Sequence, residues 1–208
     1  MNRVIPLFIL AFGILAFATL FLVVMPFLQV RGTAVPEGLR PYSVAEQRGR
    51  DHYVNLGCVY CHSQQPRSPD QAPDQARGWG RPSTPADYVF DRPHLLGTMR
   101  TGPDLLNVGA RLPSVAWHLT HLYQPRAIFD WSIMPSYPFL FDAKDKAEPG
   151  DVVVDLPPRY RPEHGVVVAR PAALELTQYL LSLDRTYPST PDAEDLRDQG
   201  YTNVGGGR

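Results

Sequence analysis

Gly57-Cys58-Val59-Tyr60-Cys61-His62 decides how the rest of the chain is read. Two thiols separated by two residues and followed at once by a histidine form the C-x-x-C-H pattern of covalent haem attachment. Each cysteine can form a thioether to a haem vinyl group, and the adjacent histidine then lies under the iron as proximal ligand. The chain has only 2 cysteines. A tetrahedral zinc site draws on about four ligands, usually from two such pairs, and there is no second pair. A thioredoxin-like redox motif follows a strand and opens a βαβ unit, a pattern absent here. A plain Cys58–Cys61 disulfide is the structural alternative.

The totals agree with a small haem-binding chain. At 208 residues there is room for one ordinary domain and an appendage. A net charge of −1 points to no nucleic-acid partner. With 22 Pro and 16 Gly, much of the chain is loop, and a bound haem can supply the apolar core that such a domain lacks. Haem c is attached outside the cytoplasm, so the motif implies export.

Val4 to Leu28 contains no charged residue. At about 1.5 Å per residue it reaches roughly 37 Å, enough to cross a hydrocarbon core of about 30 Å. Pro6 and Pro26 lie near its ends, where they disturb a helix least. The run is longer than the apolar region of a signal peptide and lacks a small-residue cleavage site. The expected organisation is a membrane anchor over 1–32 (transmembrane helix about 4–28), a haem domain over 33–186 and a polar tail over 187–208. Arg31, Arg40, Arg48 and Arg50 follow the span, and the positive-inside rule would keep the large domain in the cytoplasm. Haem c attachment requires the opposite side and carries more weight.

Ser43-Val44-Ala45-Glu46 reads as a capping box opening a helix to about Leu56, which delivers Cys58 to the haem. Gly49 costs that helix about 1 kcal/mol against Ala, a loss that close approach of a second helix would offset. Residues 63–98 are broken by six prolines and read as an ordered loop, held by Trp79, Tyr88 and Phe90. Ser114 caps a short helix with Val115, Leu119 and Leu122 on one face, stopped by Pro125. The charged stretch 142–170 is an insert whose runs Val152–Val154 and Val166–Val168 are expected to pair as a hairpin. Pro171 then opens a helix with Ala173, Leu176, Leu180 and Leu183 on one face. The fold class is therefore mainly α with long loops.

The iron's sixth position is either open to a gas or closed by a side chain. Met99, Met134, His52, His94, His118, His121 and His164 are the candidates. Met134 is preferred because Pro135 stiffens the segment holding its sulfur. His118 and His121, three apart, are expected to be a polar helix edge rather than a metal pair.

Helix, C-x-x-C-H, Thr101-Gly102-Pro103-Asp104-Leu105, Met134-Pro135 and a closing amphipathic helix, in that order, resemble a class I cytochrome c domain. That resemblance implies that the first and last helices cross at Gly49 and Tyr53, and that Pro103 lies beside His62. Several segments narrow the likeness: Gly49-Arg50-Asp51, Cys61-His62-Ser63-Gln64, Arg100 to Leu105, Trp117-His118, His121 to Arg126, and Met134 to Pro138. Over roughly residues 3–141 they are similar to the mono-haem subunit II of cbb-type cytochrome c oxidases. The resemblance weakens after Phe141, where the insert begins.

It implies one covalently bound haem c on Cys58 and Cys61, with iron held by His62 and Met134. A pocket of Gly102, Pro103, Arg111, Pro135, Tyr137 and Trp79 is expected, Arg111 and Trp79 donating to the propionates. The implied task is electron relay, without an active site of its own, from a donor cytochrome to a haem-copper catalytic subunit. The implied place is a single-pass subunit of the bacterial inner membrane, haem domain on the periplasmic side, beside other cytochrome subunits. The alternatives are the small cytochrome subunit of a nitric oxide reductase, a free-standing anchored carrier, and a gas-binding haem enzyme or sensor.

Overall fold

The structure, a computed structural model, describes residues 4–188. They fall into two compact units: residues up to Glu37 with Thr84–Val89, and Gly38–Ser83 with Phe90–Tyr187. The expected tail lies, from residue 189 on, outside the described residues.

In the first unit one apolar helix, α1, spans Val4–Val30, two residues past the expected end. Its length and composition suffice to cross a membrane, and none of its side chains is buried against protein. Leu20–Val24 form a π-helical turn just before Pro26. Proline lacks the N–H and crowds the carbonyl four residues back; a wider turn relieves both faults without ending the helix.

The second unit is mainly helical. Helix α2 (Val44–Asn55) opens with the expected capping box: Glu46 N–H donates to Ser43 Oγ at 3.3 Å, and Ser43 N–H donates to Glu46 Oε2 at 2.7 Å. Two short helices follow, α3 (Val108–Arg111) and α4 (Val115–Tyr123), then α5 (Pro171–Ser182) with Pro171 in its first turn. On α5 the expected face is buried: Ala173, Leu176, Leu180 and Leu183 pack into the core together with Tyr179. Each buried leucine contributes about 1.5–3 kcal/mol relative to exposure.

Helices α2 and α5 make the central contact of this unit. A Cβ at Gly49 would overlap the Glu175 carbonyl oxygen and press on Tyr179, so only glycine lets the helices approach this closely. Tyr53 and Tyr179 meet at the crossing with their rings tilted by 58° and centroids 5.6 Å apart. Outside it, Glu175 binds Arg48 at 2.5 Å and His52 at 3.0 Å. Gly109 of α3 closes the other end: its N–H donates to Leu183 O at 2.9 Å, and a side chain there would strike the Leu181 carbonyl.

The stretch 142–170 differs in detail from the expected hairpin. Strand β2 (Val166–Ala169) pairs antiparallel with β1 (Phe141–Lys144), from Phe141↔Ala169 to Lys144↔Val166. The Val152–Val154 run lies on the other edge of β2 as a single bridge, Val153↔Val168. Val154, Leu156 and Val167 join the hydrophobic core, so this stretch covers the helices. Phe141-Asp142-Ala143-Lys144 is too short and mixed to announce a strand; pairing with β2 makes it one. On α4, Leu119 and Leu122 are buried as expected but Val115 is exposed; its place in the first turn puts it beyond the core's edge.

Candidate haem site

The attachment stretch is shaped by how α2 ends. Gly57 takes a left-handed conformation (φ 77°) that reverses the chain after the helix, a position where glycine pays no Cβ penalty. A 3₁₀ turn, Cys58–Tyr60, follows, and Cys61 and His62 N–H groups both donate to Cys58 O, at 3.2 and 3.0 Å. The two cysteines are thus one turn apart, with His62 adjoining. Both thiols are free, so the disulfide alternative is not what this structure adopts. Burial pushes the Cys58 thiol up to about 11.

His62 is fixed from one side. Its Nδ1 lies 2.8 Å from Pro103 O; a carbonyl only accepts, so Nδ1 carries the proton and Nε2 keeps its lone pair. Burial lowers the proton affinity of His62, which favours this neutral form. That tautomer suits a metal-bound imidazole, whose other nitrogen donates to a carbonyl. Gly102 permits the arrangement, because a Cβ there would collide with the His62 ring. Gly102 N–H donates to Cys61 O at 2.9 Å and Leu105 N–H to Ser63 O at 2.8 Å, so the two segments run side by side.

Tyr137 reaches the same place. Burial pushes its hydroxyl up to about 12, with the nearby Cys58 and Cys61 thiols adding to the effect. Tyr137 N–H donates to Leu122 O at 2.9 Å, which ties the Met134–Tyr137 segment to α4. Met134 is partly buried against the core, along with Cys58, Val59 and Tyr137. Pro135 is exposed beside it, whereas Met99 is 57% exposed.

Arg111, half-buried, donates from Nη2 to Asp104 O at 2.7 Å, while its buried Nε has no hydrogen-bond partner among the described residues. Two guanidinium groups lie over the Trp79 ring, Arg77 at 5.0 Å and Arg100 at 5.5 Å from its centroid. The histidines of α4 are not the polar edge expected of them. His118 is buried with Nε2 2.9 Å from Leu112 O. His121 stacks on Trp117 at 4.7 Å, and burial brings its proton affinity down to about 4. Among the described residues no three His, Cys, Asp or Glu side chains cluster as a metal site would require.

These residues fit a haem: two free thiols a turn apart, an imidazole presented through Nε2, a glycine cradle and an orphaned guanidinium N–H. Sequence reading missed Ser63, Asp104 and Arg100 as working parts. They lay inside quoted motifs, but only the fold brings residues 63–65 against 100–106.

A family model described as cytochrome c oxidase, mono-haem subunit/FixO matches residues 1–152. The chain belongs to this family. It is accordingly a mono-haem subunit of a cytochrome c oxidase, a protein that works beside partner subunits, with one helix able to anchor it in a membrane. Comparison with curated proteins finds no match. The mono-haem subunit match ends inside the stretch of β1, β2 and the loop between them, close to where the motif resemblance weakens.

Proposed function

We propose that this mono-haem subunit carries one haem c and relays electrons from a donor cytochrome to the haem-copper catalytic subunit of a cbb-type oxidase. The observation that carries the reading is His62, held through Nδ1 by Pro103 O with Nε2 left free beside two unpaired thiols. Cys58 and Cys61 would hold the haem through thioethers, with His62 and Met134 as axial ligands. Bound there, haem supplies a one-electron ferric–ferrous couple. Met134, partly buried against the core, is the preferred side chain for the sixth position, and the exposed Met99 is its rival. Arg111 offers its unpartnered Nε–H to a propionate. Neutral imidazole with thioether favours the reduced iron, so a comparatively high potential is expected.

The haem domain is assigned to the periplasmic side of a bacterial inner membrane, with α1 as single-pass anchor. Membership of an oxidase family favours the oxidase over the nitric oxide reductase, free-carrier and gas-sensor readings. The test is gentle detergent purification of the full-length chain, followed by haem staining on a denaturing gel and mass spectrometry of bound proteins. Covalent haem, lost in Cys58→Ser/Cys61→Ser, and a co-purifying polytopic oxygen-reducing subunit are expected. A double variant that keeps covalent haem, or a wild type recovered alone, would overturn the attachment or the relay claim respectively.

A further inference from the structure

On the Nδ1 side of His62 the domain buries a carboxylate for which the attachment motif has no use. Asp104 is 0% exposed. Its Oδ2 accepts from Ser63 Oγ–H at 2.6 Å and from Gln65 N–H at 2.7 Å, and its Oδ1 accepts from Leu106 N–H at 2.9 Å. Arg100 Nη2 stands 3.7 Å from Oδ2, while the same guanidinium donates to Asp74 at 2.6 Å and to Gln65 O at 2.7 Å. Every hydrogen-bonding contact to the carboxylate is a donor, the surroundings an anion requires. Burial raises the Asp104 carboxyl, and the donors Ser63, Leu106 and Gln65 with the Arg100 charge oppose that rise only in part. A buried charge is a poor source of stability, since well-packed apolar residues often do as well or better.

The position of this charge gives it a use. Asp104 directly follows Pro103, whose carbonyl receives the His62 Nδ1 proton. Its side chain pins this segment to residues 63 and 65, immediately after His62. We propose that Asp104 is a positioning residue for His62: it holds Pro103 O against Nδ1–H and keeps a negative charge behind the imidazole, lowering the reduction potential of the iron on Nε2. This rests on His62 being the proximal ligand. A negative charge there stabilises the ferric over the ferrous state, and a stronger Nδ1–H···O bond makes the ligand more basic.

The experiment uses full-length, haem-loaded protein and two variants. Redox titration followed by absorbance gives the potential, and NMR of the His62 Nδ1 proton reports its hydrogen bond. In Asp104→Asn the potential rises, the ferrous-to-ferric ratio at a fixed poise increasing by about fivefold, and the Nδ1 proton signal moves as its bond weakens. In Ser63→Ala, titrated at alkaline pH so that Asp104 stays ionised without this donor, the potential falls, because one donor no longer offsets the anion. Shifts of the same sign in both variants mark a purely structural role and overturn the proposal. An unchanged potential and Nδ1 signal in Asp104→Asn does the same. Should Asp104→Asn fail to fold or load, Ser63→Ala decides, and an unchanged or raised potential there overturns it. A wild type without covalent haem defeats the functional reading itself, and that is measured first.

Discussion

At the scale of single residues, the site separates what a spacing can say from what only contact can say. Cys58, Cys61 and His62 are adjacent in the chain, so their chemistry is legible in the sequence. The preference for Met134 over Met99 comes from the proline that follows it; Met134 is partly buried and Met99 exposed, and neither fact by itself makes a ligand. Met134→Ala should abolish the ferric methionine–sulfur charge-transfer band and lower the potential, whereas Met99→Ala should leave both unchanged. Absorbance spectra of the two purified variants check this, and loss of the band only in Met99→Ala would reverse the assignment. His118 and Asp104 were illegible for a common reason. A polar residue is normally exposed, and burial is revealed only when its partner is found: Leu112 O for the first, Ser63 for the second.

At the scale of elements, the capping box at Ser43, the helix start at Pro171 and the apolar face of α5 all follow from local rules, and all are present. Strand β1 was not readable, because its four residues become a strand only through β2. Gly49→Ala gains about 1 kcal/mol of helix propensity. The new methyl must displace the Glu175 backbone, and overpacking of that kind costs about 1–3 kcal/mol or more, so net destabilisation is expected. Thermal unfolding checks the sign; a raised Tm would mean that the crossing is not tight. Glu46 yields a pH dependence. Hydrogen bonding to Arg40 holds its carboxyl at about 2, against 4.5 ordinarily. Its folded value is depressed, so its stabilisation is fully present above about pH 5 and is lost as pH falls from 4.5 towards 2. Arg40 is largely exposed and a glutamine can still accept from Ser43 N–H, so Glu46→Gln should cost no more than about 1 kcal/mol near neutrality. Denaturant titrations at several pH values should show the gap between wild type and variant closing below pH 4.5; a constant gap would contradict the assignment.

For the whole molecule, a membrane-spanning α1 would set where the proposed relay takes place. Full-length protein should stay with the membrane through an alkaline carbonate wash, and its release into the supernatant would show that α1 does not span. An anchored carrier meets its partners in a thin layer rather than in bulk solution, which raises their effective concentration. The π turn at Leu20–Val24 adds one more consequence. Each α-helical residue advances about 100° around the axis, so one extra residue within a turn rotates everything beyond it by about that angle. A stripe of side chains drawn along the segment before Leu20 therefore does not continue straight beyond Val24. The anchor offers its surroundings two contact seams out of phase, and a straight neighbouring helix can follow one of them but not both.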